Sequence, residues 1–332
     1  MKSHCSFRRQ RVLIVGCGDI GLRCGRLLSR RYQCVGLIRD PSRAAALRAA
    51  GITPLPGDLD RHRSLARLAA LGPAFDHIVH LAPPRPEGEG DARTVALLAA
   101  LRRPPRRTRT AARPAGVPGV SGGTRRPIVP ERTRRLVYAS TSGVYGDRRG
   151  ARTDETARVA PATARARRRV AAERLLRAAA GTAADLSVSV LRVPGIYDET
   201  RLPVARLQRG TPALRGEDDV FTNHIHADDL AAIVVRALRR GRPQRIVHAS
   251  DDSALKMGDY FELVAAHAGL APPPRVSLAQ ARENLDPALL SFMLESRRLD
   301  NGRLRREFGY ALTYPTVGAF FARSAARSAS SR

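Results

Sequence analysis

Residues 11–21 read RVLIVGCGDIG. The apolar run Val12–Val15 is too short for a helix, is bounded by glycine, and has the character of a strand buried on both faces. Asp19–Arg31 follows with Ile20, Leu22, Leu27 and Leu28 at helical spacing. Between strand and helix stand Gly16, Gly18 and Gly21 in the pattern G-x-G-x-x-G. In that context each glycine has a job: a tight turn at Gly16, close backbone approach to a pyrophosphate at Gly18, and close helix–sheet packing at Gly21. The helix start, Asp19-Ile20, leaves unsatisfied N–H groups pointing at an anion. The stretch predicts a nicotinamide-dinucleotide site on a βαβ unit, with Gly16, Gly18, Asp19, Ile20 and Gly21 against the cofactor.

Reading outward, strands are predicted at 32–38, 52–55, 75–81, 135–138, 186–193 and 245–249. Helices are predicted at 41–50, 62–70, 91–101 and 162–180. This alternation predicts an α/β fold with a doubly wound parallel sheet, the Rossmann arrangement. The second strand ends in Ile38-Arg39-Asp40. An acidic residue at that point holds ribose hydroxyls, whereas an arginine accommodates a 2′-phosphate. Arg39 comes first, with Arg43 near, so NADP is the expected cofactor and NAD the alternative. Asp40 precedes Pro41 and equally suits a helix cap. Asp58, in Gly57-Asp58-Leu59, could meet the adenine edge or serve the turn. Further helical segments at 202–209, 227–240, 256–269 and 287–295 are less regularly βαβ. The expected division is a dinucleotide-binding domain over 1–193 and a smaller substrate-side lobe over 194–325, interleaved with it. Within the first domain, 102–133 is low-complexity, rich in Arg, Pro and Gly, and is expected to be a flexible surface loop.

Composition narrows the class. The chain has 332 residues, 43% hydrophobic and 5% aromatic, with no tryptophan. Such a core must come from Val, Leu, Ile and Ala, as in a parallel sheet under helices. The net charge is +28, but only Lys2 and Lys256 are lysines and the arginines are scattered. No zinc-finger, RNP-type or helix-turn-helix pattern accompanies the charge. The expectation is salt-sensitive adsorption to polyanions and no specific nucleic-acid partner. Cys5, Cys17, Cys24 and Cys34 fit no metal or CxxC spacing, and no apolar run approaches the roughly 20 residues of a membrane span. We therefore expect a reduced cytoplasmic protein, off the membrane, without a metal, a monomer or homodimer acting on a small-molecule substrate.

The motifs GCGDIG, GDL at 57–59, HLAP at 80–83, STSGVYGD at 140–147, HIHADDLA at 224–231 and RRLDNGRLRREFGY at 297–310 together resemble the extended short-chain dehydrogenase/reductases of the NAD-dependent epimerase/dehydratase type, in particular their atypical subgroup. The likeness runs from about Arg11 to Pro315. It implies that Leu59, Leu81 and Ala82 also line the cofactor and that Thr141 occupies the family's Ser/Thr position. It also implies a Tyr-x-x-x-Lys pair on the helix after STSGVYGD. Counting back from Glu173 puts Arg165 where the tyrosine is expected and Arg169 where the lysine is expected. Arg169 can still hold a ribose hydroxyl. A guanidinium does not deprotonate at working pH, so Arg165 cannot replace a phenolate.

The remaining candidates for proton transfer are Thr141 with a water, Tyr145 and His224, with His226 beside it. The two histidines would share one face of a strand, and either could work as acid or base near neutral pH or simply hold the following helix start. The expected function is an oxidoreductase or epimerase on a small carbonyl or nucleotide-sugar-like substrate with a non-standard active site. The alternative is a dinucleotide-binding sensor or interaction protein without turnover.

Overall fold

The computed structural model describes residues 9–102, 133–183, 185–286, 290 and 293–330. Most of the expected loop at 102–133 lies outside them. Seven strands build the central sheet: β1 Arg11–Val15, β2 Gln33–Ile38, β3 Ile52–Pro56, β4 His77–His80, β5 Arg134–Thr141, β6 Leu186–Val193 and β7 Arg245–His248. All pair in parallel, in the order β7-β6-β5-β4-β1-β2-β3. The direction of winding reverses between β1 and β4, so a crevice opens beyond their carboxyl ends, where open α/β sheets bind ligands.

Strand periodicity sorts the core into two layers. Val12 and Ile14 face one side with Cys24 and Leu28 of α1 (Asp19–Leu28), Leu47 of α2 (Ala44–Ala49) and Leu230 and Val234 of the helix Ala227–Arg240. Leu13 and Val15 face the other side, with Leu68 of α3 (Ala66–Leu71), Leu97 of α4 (Ala92–Ala100) and Ala172 and Leu176 of α5 (Ala164–Thr182). A parallel strand buried on both faces must be apolar at every position, which is why RVLIV shows no alternation.

The chain after β6 adds a second, aromatic core. Tyr197, Tyr260, Phe261, Tyr314, Phe320 and Phe321 pack together there. The helices of this part of the chain are α6 (Val204–Gln208), α7 (Ala227–Arg240), α8 (Met257–Ala268), α9 (Leu278–Asn284), α10 (Gly302–Phe308) and α11 (Val317–Ser330), of which α6, α8 and α11 build the aromatic core. The buried Asp229 near the start of α7 accepts hydrogen bonds from Tyr310 Oη at 2.6 Å and from the Thr313 and Tyr314 backbones at 2.8 Å each, tying the C-terminal segment to the sheet's covering helix. The helix expected at 287–295 falls largely on residues outside those described. The described helix in that region is α9, set earlier by a capping box of Ser277 and Gln280. Among the described residues no helix is long and apolar enough to cross a membrane, and no cluster of His, Cys, Asp and Glu could hold a metal ion.

Candidate functional site

The crevice beyond β1 and β4 divides at the glycine turn into two connected cavities that share Gly16, Gly18 and Pro83. The first, about 350 Å³, runs over the ends of β2 and β3 and is lined by Arg39, Asp40, Arg43, Asp58, Leu59, Ala82 and Arg93, among others. The second, about 290 Å³, runs towards β5 and α5 and is lined by Asp19, Ile20, Gly21, Leu81, Thr141, Arg165, Arg169 and Arg201, among others. All eleven residues expected to bind a dinucleotide therefore border one continuous cleft.

The turn has the shape that a pyrophosphate needs. Gly16 has φ +97°, and a Cβ there would stand 2.5 Å from the Ala82 backbone nitrogen. A Cβ on Gly21 would stand 2.4 Å from the Gly16 carbonyl oxygen. Loop, helix and β4 thus meet at distances only glycine allows. A Cβ on Gly18 would meet nothing within 4 Å. Gly18 faces open space, which is the condition for a ligand to approach its backbone.

At the β2 end, Asp40 caps the following 3-10 turn, accepting the Ser42 backbone N–H at 2.9 Å. Its neighbour Arg39 is exposed and makes no ion pair with the described residues. Asp58 does double duty, bordering the cleft while accepting the Asp60 N–H at 3.0 Å. Cys17, between the glycines, is buried, donates to the Ile14 carbonyl, and is pushed up to about 12 by burial; it is a packing thiol and not a nucleophile.

At the β5 end the fold holds Arg169 rigidly. Its Nη1 donates to Tyr138 Oη at 3.1 Å and to the Ala139 carbonyl at 2.6 Å, while its buried Nε has no partner. One turn further along α5, Glu173 accepts Ser140 Oγ at 2.5 Å and takes Arg192 on both oxygens, with Nη2 at 2.8 Å and Nε at 3.2 Å. Arg192 also donates to Tyr145 Oη at 2.7 Å, and Tyr145 Oη lies 2.6 Å from His248 Nε2. This buried chain fixes α5 against the ends of β5, β6 and β7, and so sets Arg165 and Arg169 opposite Thr141.

The three expected catalytic residues part company here. Thr141 lines the cleft, its Oγ1 accepting the Gly143 N–H at 3.3 Å. Tyr145 does not: its hydroxyl is committed to Arg192 and His248, and burial pushes it up to about 12. His224 does not either. It is buried among aromatic rings, 4.2 Å from the Tyr260 ring centre, and burial pulls it down to about 4. His226 caps α7, accepting the Asp228 N–H at 3.2 Å. Among the described residues, neither cavity of the cleft has a tyrosine, lysine or histidine on its lining. Sequence reasoning missed Arg201, which reaches in from the loop after Gly195–Tyr197 and pairs with Asp19 at 3.3 Å. Its position four residues after Tyr197 carries no motif that could have shown it.

The residues fit a dinucleotide laid across the turn: open space at Gly18, a free Arg39 at one end, and an orphaned Arg169 Nε beside Thr141 at the other. The comparisons agree with this geometry. Escherichia coli protein YeeZ is 27% identical over 184 residues, 55% of this chain and 60% of that protein, so the chain spans well under two thirds of the curated relative it matches. A conserved protein of unknown function from Silicibacter pomeroyi superposes with a TM-score of 0.73 at 27% identity, covering 96% of this chain and 99% of that one. DesIV, a dTDP-glucose 4,6-dehydratase from Streptomyces venezuelae with NAD bound, superposes with a TM-score of 0.68 at 21% identity, covering 95% of each chain. The model of the NAD dependent epimerase/dehydratase family matches residues 12–249, from β1 past the end of β7. With its glycine turn, its sheet order and its cleft all inside that match, the chain belongs to the NAD-dependent epimerase/dehydratase family.

Proposed function

We propose that the chain binds NADP in this cleft and acts on a carbonyl substrate without the tyrosine relay. The observation that carries the reading is the convergence of Thr141, Arg165 and Arg169 on one cavity that opens from the glycine turn. Arg39, exposed and unpaired at the end of β2, supports NADP over NAD because a guanidinium matches a phosphate in charge and geometry. Bound there, the nicotinamide supplies or takes a hydride.

The protein's own contribution is then positional and electrostatic. Arg169 is anchored on Tyr138 and the Ala139 carbonyl, and its remaining N–H groups would hold a ribose hydroxyl of the bound dinucleotide. Thr141 Oγ1 accepts from Gly143, which leaves its own O–H free to donate to a substrate oxygen. A hydroxyl so placed orients a carbonyl and passes a proton from water, but it does not store one. Among the described residues, no side chain that ordinarily titrates between pH 5 and 8 lines the cleft.

The test is a panel of small oxo acids, sugar phosphates, aldehydes, ketones and nucleotide sugars, assayed with NADP(H) and NAD(H). We expect turnover of at least one substrate, a rate that stays level from pH 6 to 8, and a fall of roughly 10²-fold or more in Thr141→Ala. An inflection near pH 6.5 that disappears in His224→Asn would overturn the proton route. Intact dinucleotide binding with no turnover across the panel would favour a sensor, a reading that the lack of Tyr, Lys and His among the described residues of the cleft already supports.

A further inference from the structure

Three arginines border the β5 half of the cleft, and they are not equivalent. Arg169 is held on β5. Arg201 is held by carboxylates, 3.3 Å from Asp19 and 3.7 Å from Asp198. Arg165, in the first turn of α5, has no hydrogen bond or ion pair with the described residues, yet it lines the cavity beside Thr141. Asp19, the one carboxylate on the cavity's lining among the described residues, is already shared between Arg23 at 2.9 Å and Arg201. The cavity therefore carries an excess of positive charge beside Thr141.

We infer that Arg165 is the receptor for an anionic group on the substrate, a carboxylate or a phosphate monoester next to the reacting carbon. The inference rests on the cofactor reading above, because the nicotinamide end sets where the substrate sits. Two physical arguments support it. Arg165 is exposed, but partial desolvation against the cavity wall and the neighbouring Arg169 both disfavour its charged form, so a bound anion would relieve a repulsion between the two guanidinium groups. A guanidinium also presents paired N–H groups that match a carboxylate or phosphate in two hydrogen bonds, which a lone phenol cannot. The residue that removes a proton relay at this position thus supplies an anion site in its stead.

The experiment is calorimetric titration of the wild-type protein, with and without saturating NADP, using oxalate and inorganic phosphate as probes at physiological ionic strength. We expect one probe to bind, and its choice between carboxylate and phosphate names the substrate group. Arg165→Met should weaken that binding at least tenfold while NADP affinity changes less than twofold, and Arg165→Lys should recover part of it. Arg165 is exposed on the first turn of its helix, so the variants should fold; unfolding temperatures check this. Binding of neither probe, or equal binding to wild type and Arg165→Met, overturns the inference. So does a parallel loss of NADP in Arg165→Met, which would make Arg165 a cofactor ligand. Arg165-dependent probe binding in a protein that takes up no dinucleotide would uphold the anion site and remove the cofactor reading instead.

Discussion

His224 shows how a residue with the right chemistry can be in the wrong place for it. Its imidazole lies tilted against the Tyr260 ring, its Nδ1 has no partner among the described residues, and burial pulls it down to about 4 from an ordinary value near 6.5. The folded chain therefore refuses a proton that the unfolded chain accepts between about pH 6.5 and 4. Stability from this group is complete above that window and is lost as pH falls through it. The shift corresponds to about 3 kcal/mol. His248, also pulled down to about 4, acts in the same sense, while Asp251, pushed up to about 7 by burial, acts in the opposite one. His224→Phe should keep the aromatic contact and flatten, without abolishing, the fall in unfolding temperature from pH 6.5 to 4. A slope equal to the wild type's would mean that His224 is protonated in the fold.

At the scale of elements, the glycine turn was legible because strand, turn and helix impose incompatible demands that only one short pattern satisfies. Gly18 separates the structural from the functional part of that pattern. Its φ of −74° and ψ of −160° suit any residue, and the space beside it is open. Gly18→Val should change stability by less than about 0.5 kcal/mol and weaken dinucleotide binding at least tenfold, as read by thermal unfolding and by titration. A large loss of stability would show that the glycine serves packing alone. The sheet strands were legible for the same reason as the turn, since each is a short apolar run between breakers. The C-terminal elements were less so. Leu278–Asn284 starts at a Ser277-x-x-Gln280 capping box that the sequence displays, but its alternation of polar and small residues hides the apolar face. The two-residue pairing of Arg152–Thr153 with Arg298–Leu299 depends on contacts across more than 140 positions, which no local pattern reports. Within the site, Thr141 and Arg169 were readable by position. The exclusion of Tyr145 and His224 was not, because it depends on which way buried side chains turn.

Across the whole molecule, the arginine excess has internal uses as well as a surface one. Arg134 donates to the Leu101 carbonyl at 2.7 Å, Arg236 to the Phe308 carbonyl at 2.7 Å, Arg297 to the Gly146 carbonyl at 2.9 Å and Arg303 to the Ile246 carbonyl at 2.9 Å. Each satisfies a carbonyl at a helix end, in a loop or, for Ile246, on the edge strand β7, and Arg236 and Arg134 do so at helix C-termini, where a cation is also favoured. The cleft uses the same residue type differently, leaving Arg39 and Arg165 free at its two ends. In the proposed reading a dinucleotide runs from Arg39 towards the cavity that Arg165 borders. The measurement that tests this most directly is a titration of NADPH and NADH into the wild type and Arg39→Ala at fixed salt, followed by nicotinamide fluorescence. The wild type is expected to bind NADPH at least tenfold more tightly than NADH, and Arg39→Ala to remove most of the difference by weakening NADPH alone. Failure of the wild type to bind either dinucleotide would contradict that reading.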